Sequence, residues 1–417
     1  MSMKKTVFAG IAALIIAVSP LVAVPAASAA GEPPPHAAGQ ILVKFADDHA
    51  ADGVLRQHGL ANGPTVGSTG AHLIKVPAGA ELRLVQALSS NPAVEYAEPD
   101  AIARAVTDDQ YFDRQYALQN TGQSFTNTAG TITVPAGKAG ADVGAVGAWS
   151  TTTGGGIPVA VLDTGVATDN HDIWPHVTAS ANFSTSTTQD DMYGHGTHVA
   201  GIVAAIANNT IGVAGVCPSC TILNGKVLDD NGSGTASAIA RGIDWAVKNG
   251  AKVINMSLAM RVSSRTLETA VNNAWNSGVV IVAAAGNTGA QAKMYPAAYS
   301  NVIAVAATDN NDAKASFSTY GAKWVDVAAP GVSVYSTFPN HPFALQTTYN
   351  RSESYDIGSG TSMASPIVAA TAALALSAHS GYSNAQVRAK VESSADRIPG
   401  TGSYWAYGRV DANAAVH

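Results

Sequence analysis

The chain has 417 residues, 47% apolar and only 12% charged, enough for two or three domains and a large core of small side chains. Its 23 basic and 29 acidic residues leave a formal charge of −6. No run of Lys or Arg stands ready to displace phosphate counterions, so nucleic acid is not an expected ligand.

The N-terminus reads as a targeting segment. Lys4 and Lys5 precede an apolar stretch from Val7 to Ala27, and Ala27-Ser28-Ala29 is a small-residue cleavage pattern. Pro20 and Pro25 argue against an uncleaved anchor. Residues 1–29 are therefore expected to direct export and then be removed. Farther on, the apolar helix predicted over Ile367–Ala378 is too short to span a bilayer, so no stable membrane association is expected after cleavage.

Residues from about Gln40 to Ala105 form a small separate unit. Strands are predicted at Gln40–Phe45, Ala71–Val76 and Val94–Ala97, with helices at Ala51–His58 and Glu81–Ser89. This β-α-β-α-β alternation predicts an α+β sandwich.

After about Asp109 strands and helices alternate. Pro158–Leu162, Thr221–Val227, Lys252–Asn255, Val279–Ala283 and Val302–Val305 are continuous apolar runs, as strands buried on both faces require. Helices are predicted at Ala236–Lys248 and Thr266–Asn276. An α/β fold follows, with functional groups at the carboxyl ends of the strands. The only cysteines, Cys217 and Cys220, read as a redox pair, half a zinc site or a small staple. No second pair stands at matching zinc spacing and no thioredoxin-like pattern surrounds them, so the staple is the preferred reading.

Three segments carry chemistry. Val161-Leu162-Asp163-Thr164-Gly165 ends a buried strand in a carboxylate at a glycine turn. Gly194-His195-Gly196-Thr197-His198-Val199-Ala200-Gly201 places a histidine in the first turn of a helix. Gly360-Thr361-Ser362-Met363-Ala364-Ser365-Pro366 sets a serine at the head of a long apolar helix, beside unpaired backbone N–H groups. Alone, that serine would be an ordinary helix cap. Together the three supply a nucleophile, its base and the group that orients the base. The order Asp, His, Ser is one of the known chain orders, and no G-x-S-x-G elbow points to a lipase or esterase.

These segments resemble the three catalytic boxes of the subtilisin-type (subtilase) serine endopeptidases, and Val282-Ala283-Ala284-Ala285-Gly286-Asn287 resembles a fourth. The resemblance implies a mostly parallel sheet flanked by helices over residues 107–417. It also implies peptide-bond hydrolysis through an acyl-enzyme. Ser362 would attack, His195 would carry the proton, Asp163 would orient His195, and Asn287 with the Ser362 N–H would hold the oxyanion. His198 reads as structural packing. Residues 30–106 resemble the family's propeptide, a ferredoxin-like unit that acts as folding chaperone and intramolecular inhibitor, with self-cleavage near Val106–Thr107.

Protein or peptide substrates are expected as an added strand between Gly232-Ser233-Gly234 and Ser257-Leu258-Ala259, with Met294 at the base of the primary pocket. Ala259 and Met260 stand where the family usually has Gly-Gly, Met294 where many members keep a small residue, and Ala236 where an aromatic lid is common. A small or medium apolar residue before the scissile bond is expected from these departures. No acidic pocket residue is evident, so cleavage after Arg is not. Resemblance further implies a structural Ca²⁺ held by the carboxylates of Asp109 and Asp172, the Asn209 side chain and the carbonyls of Ile206, Ile211 and Val213, an all-oxygen set. A second cation site is not expected, because Lys323 and Val325 fall where acidic residues would be needed. The enzyme is expected to be secreted and monomeric. A catalytically silent binding protein would require a lesion in one of the boxes, and none is visible.

Overall fold

A computed structural model describes residues 36–101 and 107–417. Contacts divide the chain into two units, the division falling at Ala103–Arg104. The expected targeting segment and Val106 at the expected processing bond lie outside the described residues.

In the first unit His36–Phe45 is the central strand, antiparallel to Ala71–Lys75 on one side and to Val94–Ala101 on the other. Its alternation puts Ile41, Val43 and Phe45 on one face, where Leu55 of the Ala51–Gln57 helix and Leu88 of the Glu81–Ser89 helix complete the core. Thr65 pairs with His72 through a single bridge. That bridge stands where a ferredoxin-like βαββαβ sheet would have its fourth, edge strand.

The second unit is built on an eight-stranded sheet in which every neighbouring pair is parallel. From edge to edge the strands are Gly408–Arg409, Val327–Pro330, Ile303–Thr308, Val280–Ala284, Val253–Met256, Pro158–Asp163, Thr221–Lys226 and Val177–Asn182. Central strands such as Val253–Met256 and Val280–Ala284 are buried throughout, so their sequences show no alternation. The His195–Ala204 and Thr361–Ala378 helices cover one face and Ala236–Lys248 and Arg265–Asn276 the other, giving two apolar layers. Pro158–Asp163, the first strand laid down, lies inside the sheet, and later strands add on both its sides. Asp163 thus ends at the switch in strand order, where open α/β sheets form their clefts.

One expectation is corrected. The apolar helix runs from Thr361 at its head to Ala378, and its 18 residues, more than the Ile367–Ala378 run, are long and apolar enough to cross a membrane. It is instead the core helix of this unit, 78% buried against the sheet. The two cysteines are joined, with Cα atoms 5.4 Å apart. Gly154 closes over them at φ +90°, and a Cβ there would lie 2.0 Å from Cys217 Sγ, so only glycine fits.

Candidate active site

Asp163 leaves its strand almost fully buried and accepts 2.7 Å hydrogen bonds at Oδ1 from His195 Nδ1 and from the Thr164 N–H. A buried carboxylate on Nδ1 fixes the tautomer and leaves Nε2 as the free, basic nitrogen. Burial works against a charge on His195, but the Asp163 carboxylate, aided by Asp191, more than offsets it and raises the imidazole pKa above its ordinary value. His198, one turn on, behaves differently. Burial and the neighbouring His195 hold it down to about 3, so it stays neutral, with Nε2 on the Asp356 carbonyl at 3.3 Å and its ring 4.8 Å from Phe338.

Ser362 is the second residue of its helix, and its hydroxyl donates to the Ser257 carbonyl at 3.2 Å. Asn287 is held from behind: its Oδ1 accepts from the Thr361 N–H (2.9 Å) and Thr361 Oγ1 (3.0 Å). The opposite end of the amide, Nδ2, therefore faces the site. A methyl group built on Gly360 would lie 3.3 Å from Asn287 Nδ2 and 3.5 Å from the Ser362 backbone nitrogen. Two nitrogen donors thus lie near one small volume beside Ser362, the kind of arrangement that can hold an oxyanion.

Gly232, Ser233, Gly234, Ser257, Leu258, Ala259 and Met294 all line one cavity of about 520 Å³ together with His195, Asn287 and Ser362. Sequence reasoning missed the supports. Asp191 is fully buried and accepts hydrogen bonds from Thr164 Oγ1, the Tyr193, Gly194 and Thr197 N–H groups and Thr197 Oγ1, all between 2.7 and 3.2 Å. It locks the Asp163 turn to the start of the His195 helix. An acid just ahead of a predicted helix was the available signal. Asn255 was also missed. It accepts from Ser365 and donates to Ser257 Oγ, tying strand to helix beneath the serine.

Of the expected calcium ligands, the side chains of Asp109, Asp172 and Asn209 come together. Asp109 accepts from the Asn208 and Asn209 N–H groups, both at 3.1 Å, while Asp172 accepts from Asn209 Nδ2 (2.7 Å) and the Val213 N–H (2.9 Å). The Ile206 N–H bonds the Asp172 carbonyl. Burial, with a contribution from the neighbouring Asp109, pushes Asp172 up to about 6. Two buried carboxylates beside an amide side chain are the oxygen-donor chemistry that a hard divalent cation relieves. The residues fit the ion.

A strand-end carboxylate, a helix-borne histidine and a serine at a helix head, beside a paired-donor pocket, define a serine hydrolase on a doubly wound parallel sheet. The subtilase family model matches residues 154–410 and the fervidolysin N-terminal prodomain model matches residues 22–100. Thermitase of Thermoactinomyces vulgaris is 49% identical over 270 residues, 64% of this chain and 91% of thermitase. The thermophilic serine proteinase of Bacillus sp. (strain AK1) is 40% identical over 386 residues, 91% of this chain and 87% of that protein. Among solved structures, a protease from Pseudoalteromonas arctica PAMC 21717 aligns with a TM-score of 0.65 and 31% identity, over 75% of this chain and 99% of its own. The chain belongs to the subtilase family: it is a subtilisin-type serine endopeptidase carrying an N-terminal prodomain.

Proposed function

We propose that Ser362 is the nucleophile, His195 the general base and acid, and Asp163 the residue that orients His195 and stabilises its charged form. His195 takes the Ser362 proton as Oγ attacks the scissile carbonyl. The oxyanion is held by Asn287 Nδ2 and the Ser362 N–H, and His195 then protonates the leaving amine. Water repeats the sequence in reverse to free the acyl group. The observation that carries this reading is the convergence of Asn287 Nδ2 and the Ser362 nitrogen next to the Asp163–His195 pair.

Substrate lies as an added strand along Gly232–Gly234 and Ser257–Ala259, and Met294 in the cavity lining favours small or medium apolar residues before the scissile bond. Residues 30–106 act as intramolecular inhibitor and are cut off near Val106–Thr107 by the enzyme itself. Asp109, Asp172, Asn209 and the carbonyls of Ile206, Ile211 and Val213 hold one structural Ca²⁺, which would bind the N-terminal arm of the catalytic unit to the loop at 206–213. The apolar N-terminal stretch supports an extracellular location for the mature enzyme.

Intact mass of the purified full chain, beside Ser362→Ala, tests this reading. The wild type should lose its first unit near Val106 while the variant stays whole. If both are cut alike, or both stay whole without casein hydrolysis, Ser362 is not the nucleophile of a self-processing enzyme.

A further inference from the structure

A second cavity, of about 420 Å³, adjoins the substrate cleft, and Tyr193, His195, Asn287 and Ser362 line both. Its outer wall comes from residues 340–354. This segment is tied at its base, where the Phe338 N–H bonds the Ser354 carbonyl (2.7 Å) and the Ser354 N–H bonds the Pro339 carbonyl (3.0 Å). Midway, the Ala344 and Leu345 N–H groups donate to the Met192 and Tyr193 carbonyls (3.0 and 3.1 Å), and Phe343 stacks on Phe338 at 5.0 Å. The wall is therefore fastened to the loop that presents His195.

Arg351 faces this cavity from the wall, and its Nη1 is buried without a hydrogen-bond partner. Among the described residues it joins no ion pair. Glu353, two residues on, is engaged by Gln346 Nε2 at 3.2 Å, and no Asp or Glu lines the cavity. A guanidinium N–H taken from water without an acceptor is costly, and its planar fork matches a carboxylate. Carboxylate is also the anion that a peptide supplies.

Sidedness follows from the reaction. The cleft with its two backbone edges takes the acyl half of the substrate, so the leaving half must depart past His195 into the second cavity. We propose that Arg351 determines specificity on the leaving side, binding a carboxylate within two residues of the scissile bond. The carboxylate is either an acidic side chain or the chain's own C-terminus. This inference rests on the assignment of Ser362 and His195 above.

The test uses the mature enzyme and internally quenched peptides that share one acyl half. Glu, Ala or Lys occupies the first and second positions after the cleaved bond, with an amidated end, and a parallel Ala peptide ends there in a free carboxylate. Wild type should show a Glu-to-Ala ratio in kcat/KM of about ten-fold, the scale of one charged hydrogen bond. A preference confined to the free-acid peptide assigns the C-terminal carboxylate instead, and the proposal stands. Arg351→Lys should keep part of the ratio, Arg351→Gln should abolish it, and Arg351→Glu should turn it toward Lys. Because each ratio is internal to one enzyme, a partly unfolded variant still reports. Wild-type ratios within two-fold of one for both peptide types, or a ratio unchanged in Arg351→Gln, overturns the proposal. Fluorescence anisotropy of the same peptides on Ser362→Ala reads the binding preference without turnover. Undiminished hydrolysis by Ser362→Ala would sink the catalytic assignment alone.

Discussion

Ser257 Oγ donates a 2.7 Å hydrogen bond to the backbone carbonyl of Ser362, and Ser362 Oγ returns one to the Ser257 carbonyl at 3.2 Å. The first bond has a covalent cause. Pro366 sits four residues after Ser362 and has no N–H, so the Ser362 carbonyl lacks its intrahelical donor. A strand-end serine fills the gap and pins the helix head that carries Ser362.

Ser257→Ala should leave that buried carbonyl unpaired and cost about 1–3 kcal/mol in unfolding free energy. Pro366→Ala restores an amide donor within the helix, so Ser257→Ala should cost less in that background. Urea unfolding of the four proteins, each carrying a common inactivating Ser362→Ala change, measures the coupling. Strict additivity would contradict the proline explanation.

Asn287→Leu keeps the side chain's size while removing the Nδ2 donor and the Oδ1 acceptor that binds Thr361. Turnover should fall by about 100- to 1,000-fold with KM nearly unchanged, because the lost donor acts on the transition state. A rise in KM at constant kcat would move Asn287 out of the oxyanion site and into ground-state binding.

Much of this site was legible because its residues fall in short contiguous boxes. Asp163, His195 and Ser362 each end or begin a regular element, and apolar runs locate those elements. The supports were less legible because their partners are remote in sequence: Asp191 acts on Thr164 and Thr197, and Asn255 on Ser365. Three sheet strands also escaped. Val177–Asn182 is a half-buried polar edge, Val327–Pro330 is four residues ending in proline, and Gly408–Arg409 is only two residues long. Arg351 gave no signal at all, since an isolated arginine in a polar loop ordinarily reads as solvated surface.

The pH dependence of kcat/KM follows from His195. With His195 as the proposed general base, hydrolysis needs the neutral imidazole, and the Asp163 carboxylate keeps the His195 pKa above the ordinary value of about 6.5. Activity should therefore fall as pH drops through a midpoint above that value. Asp163→Asn should lower the midpoint and cut kcat by about 10⁴-fold, as for the serine-protease triad. An acid limb unmoved by Asp163→Asn would place its titration elsewhere.

Chelation should lower the thermal midpoint, because an ion bound only by the native chain stabilises it by mass action, about 2.7 kcal/mol at a free concentration one hundred times Kd. Asp172→Asn removes one of the two buried carboxylates and the acceptor charge facing the Val213 N–H. That variant should start from a lower midpoint and shift less between calcium and excess EDTA. Equal shifts in variant and wild type would assign any calcium effect to another locus.

His341 provides a stability signature of opposite sign to the usual carboxylate pattern. Its Nδ1 meets Asp169 at 2.8 Å and its Nε2 meets the Asp191 carbonyl at 3.3 Å. Both partners only accept, so the pair of bonds is complete when the ring is doubly protonated. Burial opposes that charge, but the Asp169 bond and nearby Asp190 prevail and raise the pKa. Stability from this clip is fully present below the unfolded pKa of about 6.5 and is lost as pH rises through the higher folded value. His341→Ala should thus destabilise the Ser362→Ala protein more at pH 5.5 than at pH 9, about one unit below and well above the reference value. Denaturant midpoints at the two pH values decide it, and an equal loss at both would mean that His341 contributes only packing.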